Sequence, residues 1–149
     1  MIVHKPGTSS YYIFTTGSAI GYNGGYAGLC VSTVDMTLNS GLGDVTMKNQ
    51  VLLTQATEKL AGVRNIDCDG FWVVAHGWNS DAFYSYPVTG LGIGTPVISN
   101  TGSIHQDVGS GNNSEAIGYM RISNTGTKLA LNTFINMNTV ELFDFDRQT

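Results

Sequence analysis

The chain has 149 residues, the length of one domain with a buried core. Charged residues make up only 12% of it against a usual quarter, the net charge is −4, and the seven Lys and Arg are scattered. No basic stripe exists to neutralise phosphates, which argues against a nucleic-acid partner. No apolar run approaches the ~20 residues that cross a bilayer, so membrane insertion is not expected. The N-terminal MIVHKPGTSS has no signal-peptide core, and a surface kept soluble by Gly, Ser, Thr and Asn suits an extracellular setting.

Read in order, the apolar runs are short, rich in Val, Ile, Tyr, Phe and Thr, and separated by Gly, Asn and Asp clusters, which is an all-β pattern. IVHKPGTSSYYIFTT (2–16) reads as strand, Gly-containing turn and strand, followed by GLCVSTVDM (28–36) and GLGDVTMKNQVLLT (41–54). Thr54 to Arg64 is the best helical candidate, but Gly62 and the lack of a 3.6-residue stripe favour a strand over its second half. AGVRNIDCDGFWVVAHG (61–77), AFYSYPVT (82–89) and GLGIGTPVISNTGS (90–103) repeat the first pattern. GYMRISNTGTKLALN (118–132) and TVELFDFD (139–146) begin a third copy, and Thr149 comes before its fourth strand. Tyr12, Phe71 and Lys128 mark the copies at intervals of 59 and 57 residues. Four antiparallel strands at such a period form a propeller blade. The predicted fold is an all-β β-propeller fragment of three blades, 1–54, 55–104 and an incomplete 105–149; the alternative is a β-sandwich.

A β-propeller closes with about four to eight blades, so three leave both end faces wet. Ile13 and Val34 at one end, and Leu129, Leu131 and Leu142 at the other, are expected to line those faces. A homodimer hides them, with Met1 to His4 as one candidate to complete the partner's third blade. Cys30 and Cys68 lack zinc or redox spacing and read as unpaired thiols, with a disulfide as the alternative.

EKLAGVR, DGFWVVAHGWNSDAFYSYPVT, TPVISNTGSIH, AIGYMRISNTGTKLAL and VELFDFD occur in this order over almost the whole chain. Together they resemble the β-propeller region of large secreted Bacteroidetes proteins that carry a gliding-motility-associated, type IX secretion C-terminal domain. The resemblance implies a propeller on an exported, surface-bound protein with an adhesion-like or unassigned role. It implies no catalytic residues, and the export domain, signal and further blades lie outside this chain.

Both tryptophans and one of the three histidines crowd FWVVAHGWNSDAFYSYPV (71–88). Alternation places Phe71, Val73 and Ala75 on one strand face and Trp72, Val74 and His76 on the other, as in a strand packed on both sides. Gly77 to Asp81 then make a turn. His76 and Asp81 have no partnered nucleophile, and a hydrolase oxyanion loop would require a G-x-S-x-G elbow that the sequence lacks, so no catalytic residue is assigned. Trp78, Tyr84 and Tyr86 beside His76 are the candidate surface for a glycan or protein ligand, Trp78 being the ring expected to be exposed.

Asn65, Asp67 and Asp69 in NIDCDG match the first half of a calcium loop, but His76 stands where the bidentate Glu belongs. Asp-Gly reads better as a hairpin turn, and no cofactor is expected. Glu141, Asp144 and Asp146 read as solvated edge carboxylates. The sequence therefore points to a non-enzymatic scaffold or binding module. The alternative is a propeller hydrolase or lactonase-like enzyme with a divalent metal held by His76, Asp67 and Asp69.

Overall fold

The computed structural model describes residues 1–17, 28–106, 114–134 and 137–148. Its strands are β1 (Ile2–His4), β2 (Ser10–Thr16), β3 (Leu29–Asp35), β4 (Asp44–Leu53), β5 (Ala56–Arg64) and β6 (Phe71–Gly77). They continue with β7 (Ser80–Thr89), β8 (Gly92–Ile93), β9 (Val97–His105), β10 (Met120–Ile122), β11 (Lys128–Asn132) and β12 (Val140–Asp144). These build three open antiparallel sheets in chain order. The first is β1-β2-β3-β4, the middle one β5-β6-β7-β9 with β8 on the far end of β7, and the third β10-β11-β12.

One turn recurs at the start of each sheet. Lys5, Asn65 and Ser123 each donate their N–H to the carbonyl five residues on, at Ser10, Gly70 and Lys128, and each accepts the N–H of the residue three on, Thr8, Cys68 and Gly126. Each return contains a residue with positive φ, at the third position after the anchor in the middle and third sheets, Cys68 (58°) and Gly126 (70°), and at the second in the first sheet, Gly7 (72°). A side-chain oxygen reinforces each turn: Thr8 Oγ1 donates to Lys5 O, Asn65 Oδ1 accepts Gly70 N–H, and Ser123 Oγ accepts Thr127 and Lys128 N–H. Cys68 holds in the middle sheet the place that Gly126 holds in the third. Cys30, buried, and Cys68, exposed, are both free thiols.

The middle sheet is covered on both faces. Val73, Ala75, Tyr86 and Val88 pack with Val3, Tyr12, Phe14, Leu29 and Val31 of the first sheet. Val74, Phe83 and Ala61 pack with Met120, Leu129 and Leu131 of the third. Every residue from Trp72 to Gly77 is therefore buried, as the double-sided apolar run requires.

Two expectations about the chain ends are corrected. Leu129 and Leu131 are 3% and 2% exposed and face the middle sheet, whereas Leu142 pairs with Ala130, not with them, and is 68% exposed on the outer face. Alternation separates the pair from Leu142, and only the cross-strand register fixes which side is inner. Met1 to His4 is also no free strand: Ile2, Val3 and His4 pair with Ile13, Tyr12 and Tyr11 of their own chain, and the Met1 ammonium donates to Phe14 O at 2.7 Å.

Candidate functional site

Five ionisable side chains from separate elements meet between the middle and third sheets. On β5, Thr57, Lys59 and Ala61 share the inner face, and alternation carries the Lys59 ammonium into the protein, where it is fully buried. It donates to the carbonyls of Glu115 and Ala116, in the short 3-10 turn Ser114–Ala116. Glu115, also fully buried, accepts the Gln106 N–H through Oε2 at 3.0 Å. Gly118, with φ 148°, lets the backbone pass tightly here, since a Cβ would stand 2.1 Å from Asn132 O and 3.0 Å from Lys59 Cε.

His76 is the penultimate residue of β6 and His105 the last of β9, and both are fully buried. Their rings stack at 4.0 Å and 24°, with Phe83 edge-on to His76 at 4.6 Å. His76 Nδ1 lies 2.8 Å from Gly77 O, so it carries the proton and leaves Nε2 as an acceptor with no partner among the described residues. His105 Nε2 lies 3.3 Å from Glu141 Oε2 and donates to it, leaving Nδ1 without a partner among the described residues. Glu141 Oε1 accepts the Ser103 N–H at 2.9 Å. Glu141 is thus turned inward as the anchor of His105, correcting its reading as a solvated edge carboxylate.

Burial dominates the electrostatics. It pushes the His76 imidazole down to about 3, helped by His105 and Lys59 and opposed by the Gly77 carbonyl and Asp81. His105 is lowered by burial and Lys59 against the pull of Glu141 and Glu115. Lys59 falls to about 8, since burial outweighs Glu115, Glu58 and Glu141. Both imidazoles are neutral at pH 7. Among the described residues, the buried acceptors His76 Nε2, His105 Nδ1 and Glu115 Oε1 have no hydrogen-bond partner. The near-parallel stack holds the two imidazole lone pairs in separate planes, a poor fit to one ion, and among the described residues no three His, Cys, Asp or Glu are grouped to hold a metal.

The residues singled out in the sequence are dispersed. Tyr84 and Tyr86 face the first sheet while His76 faces the third. Tyr86 is 3% exposed, with its hydroxyl donating to Leu52 O at 3.2 Å, so neither it nor His76 presents a ring to a surface ligand. Tyr84 is half-buried, and so is Trp78, in the turn whose next residue, Asn79, has φ 54°. Asp67 and Asp69 lie at the β5–β6 turn and His76 near the other end of β6, roughly 20 Å away at the strand's rise per residue. The structure does not bring these three together.

Asn65 is occupied as a turn residue: Oδ1 holds Gly70 N–H at 3.1 Å and Nδ2 donates to Asp69 Oδ1 at 2.6 Å. Asn65→Ala is expected to cost about 1 kcal/mol through the orphaned Gly70 N–H, and Asp67→Ala less than about 0.5 kcal/mol. Calcium titration calorimetry is expected to show no affinity tighter than roughly millimolar. Micromolar binding lost in Asp67→Ala would contradict the turn assignment.

Of the polar cluster, Lys59, Glu115 and the meeting of His76 with His105 escaped the sequence reading. The available signal was Lys59 itself, at an inward position of an alternating strand in a chain with few charges. Searches of protein-family models, curated proteins and solved structures give no match to this chain.

Proposed function

We propose that this chain is a run of β-propeller blades serving as a non-enzymatic scaffold or binding module of an exported, cell-surface protein. The observation that carries the reading is the middle sheet, buried on both faces between sheets that precede and follow it in the chain. The same turn at the same place in three consecutive sheets supports a repeat rather than a sandwich. The neutral polar surface and the resemblance to secreted gliding-motility-associated proteins support export. Four of the five ionisable side chains of the cluster, Lys59, His76, His105 and Glu115, are fully buried, which supports a role in folding rather than turnover.

The outer faces support assembly. Ile2, Val45 and Val51 on the first sheet are 67%, 50% and 38% exposed, and Val140 and Leu142 on the third 76% and 68%. Two copies about a two-fold axis cover both pairs of faces and close a ring of six sheets. Negative-stain electron microscopy of the purified chain is expected to show ring-shaped particles with a central channel. Elongated three-sheet particles would contradict the ring.

A further inference from the structure

We propose that the stacked pair His76 and His105 is an acid-operated release: protonation of the two imidazoles frees the third sheet from the middle one while the first and middle sheets stay packed. The two interfaces of the middle sheet are built differently. On the first-sheet side the buried core is aliphatic and aromatic, and its phenols, Tyr12 and Tyr86, carry no charge in acid. Among the described residues every buried histidine, lysine and carboxylate, namely Lys59, His76, His105 and Glu115, belongs to the other side. Their hydrogen bonds tie the middle sheet to the third: Lys59 donates to the carbonyls of Glu115 and Ala116 in the turn that leads into it, and His105 to Glu141 on β12. Acid therefore has a target at one interface and none at the other.

Among the described residues His76 Nε2 and His105 Nδ1 have no hydrogen-bond partner. A proton added to either lone pair creates a charged N–H donor with nothing described to accept it, in a site shielded from water. A second proton lands on the ring stacked 4.0 Å from the first, and the two charges repel across the stack. The charged groups facing the pair are Lys59 on β5, Asp81 on β7, Glu115 in the turn Ser114–Ala116 and Glu141 on β12. Burial holds both rings neutral with the help of Lys59, against the pull of Asp81 on His76 and of Glu141 and Glu115 on His105. The third sheet supplies much of that burial: Phe83, edge-on to His76, packs against Phe143 at 5.2 Å, and Glu141 holds His105. Lifting this sheet lets water solvate both imidazolium ions, so acid favours the lifted arrangement. Parting the first sheet from the middle one gains no proton.

Hydrogen–deuterium exchange of the full chain at about pH 7.5 and about pH 5.0, corrected for intrinsic amide rates, separates the two interfaces. Protection of β11 is expected to fall at least about thirtyfold more than that of β2 and β3, the factor by which one imidazole returned to its ordinary 6.5 favours opening at about pH 5.0. Equal losses in the first and third sheets, or unchanged protection of β11, overturn the release. This comparison needs no variant. In the double variant His76→Asn and His105→Gln, side-chain amides can take over the bonds to Gly77 O and Glu141 without titrating, and the acid loss at β11 is expected to shrink below about threefold. A double variant that loses β11 protection in acid as the wild type does overturns the role of the histidines.

Discussion

Acidification from about pH 7.5 to about pH 4.5 is expected to strip on the order of 3 kcal/mol of stability through His76 alone. The folded chain holds this imidazole near 3, whereas the unfolded chain returns it to its ordinary 6.5. Below 6.5 the unfolded state therefore binds a proton that the folded state refuses. The stability is fully present above 6.5 and is lost as pH falls toward 3. His105, lowered for the same reason, acts in the same direction. The charged groups around the pair are Lys59, Asp81, Glu115 and Glu141, and the buried ammonium discourages a second positive charge. His76→Ala is expected to cost about 1–3 kcal/mol near neutrality and to flatten the acid slope. Urea midpoints measured for both proteins across this range provide the check. Parallel pH profiles for the two would show that His76 is not the titrating group.

Truncation on either face of the middle sheet is expected to cost several kcal/mol, and the two costs are expected to add. Phe14 is fully buried in the first core and Leu131 2% exposed in the second, with β6 between them. Phe14→Ala is expected to cost about 3–5 kcal/mol and Leu131→Ala about 2–5 kcal/mol, since neither cavity opens to solvent. The cores share no residues, so the double mutant should fall within about 0.5 kcal/mol of the sum. Denaturant unfolding of the three variants measures this. A cost below about 1 kcal/mol for either single mutant would mean that its face is not packed as described.

The strands were legible because β-branched and aromatic residues alternate between turn residues, and no stretch sustains a helical stripe. Thr54 to Arg64 shows where that signal weakens: the sequence favours a strand only over its second half, whereas the strand begins at Ala56 and runs through the helix-favouring Glu58, Lys59 and Leu60. Leu129, Leu131 and Leu142 show its limit: period two divides a strand into two faces but does not say which is inner. The polar cluster was beyond local reading. His76, His105, Lys59, Glu115 and Glu141 come from separate elements, and their meeting depends on how the middle and third sheets stack. Asn65, Asp67 and Asp69 had the composition of a cation loop, but backbone geometry uses Asn65 to close a hairpin.

The proposal that these three sheets are consecutive blades which pair with a second copy is checked by static light scattering over a dilution series with parallel thermal melts. The expected mass is twice that of one chain, with a melting temperature that falls on dilution as the end faces part. A monomer at low micromolar concentration with an undiminished melting temperature would contradict it.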